Sequence, residues 1–468
     1  MSGAARVACT LFLTLVTACA QNAAQSTPTP TASALATATA SAPASRSPGD
    51  TGSDWPAYHG DNARTGVSRD LASFANVDVA WQTDVLDGDV YGSPIVVGGT
   101  VLVATERNVV YAFDARTGAQ RWTARFGAPV DASTLPCGNI RPVSGITSTL
   151  VGDARAGAVY AVAFEQPFHH ELYALDLATG AVRWHRTVDP PGGDPRAHQQ
   201  RGALTLANGN VYIPYGGLLG DCGPYRGSIV GASTISADAA LVSYVVPANR
   251  QAGIWAPPGL AADANGRLYA ATGNSDSSGA FDMNDAILRL TPDLKVEDYW
   301  APSDWLALSR ADIDVGSVGP TLLPGGLALE AGKNGYLYLL RAGDLGKIGG
   351  ELAKLKVCGS VFGGLAFADG VAYVPCSDGL AAVRVDGTTL RILWRGPRST
   401  SPGSAIVAGG AVWVTDPVGG MLWALDPSNG SVRFQRSVGK MQHFTTPSAS
   451  GDIVYIAADG RLIGIRLR

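Results

Sequence analysis

Val110-Tyr111-Ala112-Phe113-Asp114-Ala115-Arg116-Thr117-Gly118, closed by Trp122, decides the fold because the chain repeats it. Leu172-Tyr173-Ala174-Leu175-Asp176-Leu177-Ala178-Thr179-Gly180 with Trp184 is a second copy. Leu422-Trp423-Ala424-Leu425-Asp426-Pro427-Ser428-Asn429-Gly430 with Phe434 is a decayed third. Each part has a physical reason. The apolar run is a strand, the Asp accepts hydrogen bonds from its own turn, the Gly supplies a positive φ, and the aromatic residue packs between neighbouring sheets.

Working outward, first strands are expected to begin near Val90, Ile146, Gln200, Ile254, Asp314, Ser360, Thr400 and Phe444, at intervals of 40–60 residues. Units of this size with four short strands are the signature of a β-propeller. The last unit, from Phe444 to Arg468, has room for only three strands. The missing strand is available in Val77-Asp78-Val79-Ala80-Trp81-Gln82-Thr83, which carries the closing Trp and precedes the first unit. The expected architecture is all-β: eight four-stranded antiparallel blades over residues 54–468, closed into a ring by this N-terminal strand so that no edge stays free. Seven blades is the alternative, because the fifth unit is irregular.

Composition agrees with a glycine-rich, sheet-rich body. The 468 residues include 58 glycines, and charged residues are only 16% of the chain. With 35 Lys+Arg against 39 Asp+Glu, the net charge is −4. A nucleic-acid partner is not expected, since that would call for a concentrated basic face.

Residues 1–18 read as an export leader: Arg6, an apolar stretch Val7–Val16, then small residues. The stretch is too short to span a bilayer. Val16-Thr17-Ala18-Cys19 resembles the lipobox of bacterial lipoproteins, which implies a lipid on Cys19; an ordinary cleavage site beside a chance cysteine is the competing reading. From Ala20 to Ser53 the chain is almost entirely Ala, Ser, Thr, Pro and Gln, a composition that cannot offset its ordering entropy and so predicts a tether over residues 19–53. The expected location is outside the cytoplasm, lipid-anchored at the outer face of the cytoplasmic membrane or in the cell envelope. Four cysteines remain, Cys137, Cys222, Cys358 and Cys376, an even number that suggests two disulfides after export. Three pairings are possible, and proximity favours Cys358–Cys376 with Cys137–Cys222.

The Ala-x-Asp-x-x-Thr-Gly-x-x-x-Trp pattern, complete at Ala112–Trp122 and Ala174–Trp184, resembles the blade motif of pyrroloquinoline quinone (PQQ) propellers. That superfamily holds quinoprotein alcohol and glucose dehydrogenases as well as non-enzymatic lipoproteins. The resemblance implies a quinone stacked on a Trp beside a Ca²⁺ held by oxygen ligands, with a carboxylate base. Gly253-Ile254-Trp255 with Thr272-Gly273-Asn274 is similar to the stretch holding the stacking Trp and an Asn ligand. Gly220-Asp221-Cys222-Gly223 resembles the stretch with the carboxylate ligand, with Asp for Glu and one extra residue. Asp312-Ile313-Asp314 makes Asp314 the candidate base, and Lys333-Asn334-Gly335 resembles the segment whose cation contacts the quinone.

Plainer roles compete at each position. Trp255 could plug the channel, Asp221 and Asn274 could serve their Gly-rich turns, Asp314 could cap the turn after it, and Lys333 could be solvated. The adjacent Cys-Cys of the alcohol dehydrogenases is absent, Cys137-Gly138-Asn139 lying in roughly that region, and no haem motif is present. His169-His170 lacks a third ligand nearby and reads as a loop, and the Trp55–His59 and Arg64-Thr65-Gly66 stretch reads as structural. The sequence therefore favours a tethered scaffold that binds a small molecule or an envelope protein. A PQQ- and calcium-dependent dehydrogenase of alcohol or sugar hydroxyls is the alternative.

Overall fold

The computed structural model describes residues 53–276, 279–399 and 402–468. The expected leader, Cys19 and the tether up to residue 52 lie outside the described residues. Eight antiparallel sheets follow one another along the chain. The first is Ile95–Val97, Thr100–Thr105, Val109–Asp114 and Gln120–Arg125, paired in that order. The inner strands of the next seven are Val151–Asp153, Thr205–Ala207, Ala261–Ala262, Thr321–Leu323, Ala366–Ala368, Ile406–Ala408 and Ser448–Ser450. Eight blades are present, so the seven-blade alternative falls.

The motif works as its chemistry dictates. Asp114 Oδ1 accepts from the backbone N–H of Arg116 (3.0 Å) and Thr117 (2.9 Å) and from the Thr117 hydroxyl. Asp176 does the same for Ala178 and Thr179, and the Arg183 guanidinium holds its carboxyl down at about 2. Gly118 and Gly180 have φ of +71° and +73°. Each motif glycine lies against the closing Trp of the preceding blade: Gly180 on Trp122, Gly118 on Trp81 and Gly430 on Trp394. Trp122 Nε1 donates to Leu177 O across the same junction, and Trp394 Nε1 donates to Pro427 O, both at 2.9 Å. A glycine is therefore needed twice over, for its φ and for the flat space its missing side chain leaves to an indole.

Val77–Gln82 pairs with Arg461–Leu467, matching Val77 to Leu467 and Asp78 to Arg466, and this closes the ring. The fifth unit is irregular for a visible reason. A short helix, Trp305–Arg310, precedes it, and Lys347–Ile348 leaves it to pair in parallel with Trp300 and Ala301 of blade four.

Residues 55–68 cross the ring and touch every blade. Trp55 exchanges backbone bonds with Val96, Pro56 O accepts from Gly152, Asn62 O from Ala262, Ala63 O from Leu322 and Thr65 O from Phe367. Ser68 donates to Val407 O, and the Tyr58 hydroxyl reaches Ser404 (2.8 Å) and Thr446 (3.3 Å). Arg64 is fully buried and spends its guanidinium on Leu260 O, Tyr58 O, Leu204 O and the Thr205 hydroxyl. The structural role expected for this segment is what it has.

One expectation needs correcting. Inner strands begin a few residues after the predicted positions, and Gln200, Ile254, Asp314 and Phe444 lie in the loops leading into them. The repeat spacing counts the units but does not mark the residue at which pairing begins. Backbone pairing starts only where each chain enters its own sheet. The displaced residues, or their immediate neighbours, line the central cavity.

Candidate functional site in the central cavity

A cavity of about 620 Å³ opens at the centre of the ring. The loops before the inner strands line it, giving Tyr91 ahead of blade one, Gln199 and Arg201 ahead of blade three, and Trp255 ahead of blade four. Asp312 and Asp314 lie ahead of blade five, Phe362 ahead of blade six, and His443 and Phe444 ahead of blade eight. Returning loops add Asp221 and Tyr225 from blade three, Asn274 from blade four and Lys333 from blade five. The five residues singled out in the sequence, Asp221, Trp255, Asn274, Asp314 and Lys333, all line this one cavity.

Asp314 is the hub. It is fully buried, and its Oδ2 lies 3.4 Å from Lys333 Nζ and accepts from the Asn274 backbone N–H at 3.4 Å. Its Oδ1 is buried with no hydrogen-bond partner among the described residues. Burial pushes the carboxyl up to about 6, against the pull of Lys333. Lys333 Nζ also pairs with Asp312 at 2.6 Å and sits 5.8 Å from the centre of the Trp255 ring. Burial works against the ammonium, but Asp314 and Asp312 outweigh it and hold Lys333 above its ordinary value.

Glycines make this cluster possible. A Cβ on Gly273 would lie 3.0 Å from Asp314 Oδ2 and 3.3 Å from Trp255 Nε1, so any side chain there would fill the space between acid and indole. Asp221 has φ of +53° and accepts from the Tyr225 hydroxyl, so its carboxylate already has one partner. It shares the cavity with Asn274.

The sequence reading missed two features. Arg201 has no carboxylate within ion-pair distance among the described residues; it lies 5.5 Å from the centre of the Phe444 ring and 6.0 Å from that of Tyr91, and donates to His443 O at 3.4 Å. Asp285 is a second buried acid behind Asp314. It accepts from Val315 N–H at 3.2 Å, and burial followed by the Asp314 charge raises it well above the carboxylate range. Arg201 carried a signal, since it directly follows Gln200, one of the predicted unit starts. Asp285 carried none.

The cysteines divide. Cys358–Cys376 is a disulfide. Cys137 and Cys222 are free thiols, so the second expected pairing is not formed as a bond. Among the described residues, the group of three His, Cys, Asp or Glu side chains close enough to share an ion is Cys358, Cys376 and Asp378, whose sulfurs are already spent on the disulfide. His169 and His170 are not in a loop as expected but open the strand His169–Asp176; His170 is buried, and both rings turn to Asp189, 3.1 Å away.

An eight-bladed ring in which Trp81, Trp122 and Trp394 each dock on the turn glycine of the next blade is the architecture of the PQQ-like propellers. The family described as "Outer membrane protein assembly factor BamB", a PQQ-repeat family, matches residues 50–216 and 307–468, and the chain belongs to it. The unmatched stretch between them carries Asp221, Trp255 and Asn274. The quinohemoprotein alcohol dehydrogenase of Comamonas testosteroni is 32% identical over 168 residues, 35% of this chain and 20% of that protein. The polyvinylalcohol dehydrogenase of Sphingopyxis sp. (strain 113P3) is 23% identical over 360 residues, 66% of this chain and 51% of that one. BamB of Burkholderia pseudomallei is 33% identical over 144 residues, 30% of this chain and 33% of that protein. The chain thus spans between a fifth and a half of these relatives. Among solved structures, a quinohemoprotein alcohol dehydrogenase from Pseudomonas putida HK5 superposes with a TM-score of 0.70, covering 88% of this chain and 80% of that one at 15% identity. BamB from Moraxella catarrhalis gives 0.55, covering 84% and 98% at 14% identity. At such identities the superpositions speak for the fold alone.

Proposed function

We propose that the central cavity is a quinone site and that the protein is a PQQ- and calcium-dependent dehydrogenase of alcohol or sugar hydroxyls, exported and tethered through Cys19. The observation that carries this reading is the meeting of Trp255, Lys333, Asp314, Asn274 and Asp221 in one cavity. The donor set suits such a group. Trp255 offers an aromatic face, and Arg201, which has no carboxylate partner among the described residues, is a cation suited to the quinone's carboxylates. Asn274 and Asp221 offer the hard oxygens that Ca²⁺ prefers. These protein oxygens do not form a complete cage by themselves, so the bound group would have to share in holding the cation.

The quinone, when bound, would supply the two-electron acceptor. The chain's own residues do the rest. Asp314, at about 6, is mostly ionised at neutral pH and has a buried oxygen free to take the hydroxyl proton. Lys333 holds the other oxygen and so fixes the carboxylate's orientation. Phe444, Tyr91 and Phe362 keep the cavity wall apolar, which strengthens every charge interaction inside it.

A non-catalytic binding role is the second reading. It is favoured by the self-contained pairing of Lys333 with Asp312 and of Asp221 with Tyr225, and by the BamB relatives. Reconstitution with PQQ and Ca²⁺ separates the two. The dehydrogenase reading expects a bound-quinone absorption spectrum, dye reduction with an alcohol panel, loss of both on calcium chelation, and binding about tenfold or more weaker in Trp255→Ala. If the purified protein takes up no quinone, the scaffold reading stands instead.

A further inference from the structure

Two loops meet at the rim of the cavity, and each carries a cysteine. The first runs over residues 132–142. It is pinned by the Asp131 carboxylate on Ser133 N–H (2.8 Å) and by Ala132 N–H on Pro142 O (3.0 Å), and it contributes Asn139 and Ile140 to the cavity wall. The second runs over residues 218–226 and contributes Leu218, Leu219, Gly220, Asp221 and Tyr225. A backbone bond joins them, Gly138 N–H to Leu219 O at 3.1 Å. Leu218 packs with Val130, Leu135, Phe164 and Cys137 in a small apolar cluster beneath the junction.

The thiols are next to each other there. A Cβ placed on Gly220 would lie 3.3 Å from the Cys137 sulfur and 3.7 Å from the Cys222 sulfur, so one methyl-sized position touches both. Gly220, at φ +102°, leaves that space open between them. Both cysteines are partly exposed, within reach of an exchange partner. Burial raises the Cys137 thiol and its hydrogen bond with Cys222 raises it further, which suits a structural pair and not an activated nucleophile.

We propose that Cys137 and Cys222 form a second disulfide, a covalent staple that ties these two loops together and holds Asp221, the neighbour of Cys222, at the cavity rim. Both thiols lose their protons and one S–S bond forms. The electron pair passes to an external disulfide of the thiol-exchange class, which takes up the protons and leaves as two thiols. The crosslink does not depend on the quinone reading; only its consequence for quinone binding rests on that reading.

The test begins with full-length protein recovered from an oxidising compartment, alkylated under denaturing conditions and mapped as peptides. A crosslinked peptide joining residues 137 and 222 is expected beside the Cys358–Cys376 one. Full alkylation of both Cys137 and Cys222 while Cys358–Cys376 stays closed overturns the proposal. The double variant Cys137→Ser/Cys222→Ser then tests the positioning role by hydrogen exchange. Amides of residues 218–225 are expected to exchange at least about tenfold faster while the blades stay unchanged. Unchanged exchange there overturns the role assigned to the staple. In the same variant, calcium-dependent PQQ binding should weaken by about tenfold. Wild-type protein that binds no PQQ would sink the dehydrogenase reading and leave the crosslink and exchange results to decide the staple.

Discussion

At the residue scale, Gly180 and Asp314 show two kinds of determinism. A Cβ on Gly180 would fall 2.4 Å from the Trp122 ring, and the backbone there is left-handed. Gly180→Ala should therefore lower the unfolding free energy by about 2 kcal/mol, read as a lower urea midpoint with unchanged slope. Asp314 is different, because burial raises it to about 6 in the folded protein. A carboxyl raised on folding binds more protons in the native state than in the unfolded chain between about pH 4 and pH 6. Its contribution therefore favours the folded state at low pH and is lost as pH rises through that window. Asp314→Asn is expected to leave neutral-pH stability unchanged or raised. The same substitution should cut dye-linked turnover by about a thousandfold. Wild-type turnover should rise with pH through about 6 as the base ionises. A flat profile there would remove Asp314 from the role of base.

At the element scale, the loops before the inner strands and the crossing segment carry the architecture's logic. The motif strands were legible because alternation, the Asp turn and the Gly are local signals. The lead-in loops were legible in content and misplaced in structure. Trp255 and Asp314 stood out as residue types, yet nothing local marks where pairing begins. Arg64 was less legible still: three of its partners lie 140–196 residues away in sequence, and only their meeting explains a fully buried guanidinium. Arg64→Met would take a donor from Tyr58 O, Leu204 O and the Thr205 hydroxyl inside the ring, while Leu260 O keeps its bond from the Thr205 hydroxyl. We expect a loss of about 3 kcal/mol or more in chemical denaturation. A variant as stable as wild type would mean that water replaces the guanidinium.

At the scale of the whole molecule, closure depends on one strand and one indole. Trp81 sits on Gly118 of blade one and against Gly464 of blade eight, so it joins the two ends of the ring. Trp81→Ala should cost about 3–5 kcal/mol. It should also make the 77–83 segment the first site of limited proteolysis, before any cut elsewhere in the blades. Equal protection of that segment in both proteins would place the weakest junction elsewhere. The sequence by itself determined the repeat and the strand that closes the ring, because each blade is written in local chemistry; its spacing favoured eight blades, and the sheets decided eight over seven. It also supplied the chemical types of the cavity residues. Tertiary structure alone decided that Asp221, Trp255, Asn274, Asp314 and Lys333 share one cavity with Arg201. It also brings the Cys137 and Cys222 thiols side by side at the rim, a pairing that the sequence favoured by proximity only. These groups come from different blades, and their distances are set by how the sheets pack around the axis, which no local pattern encodes.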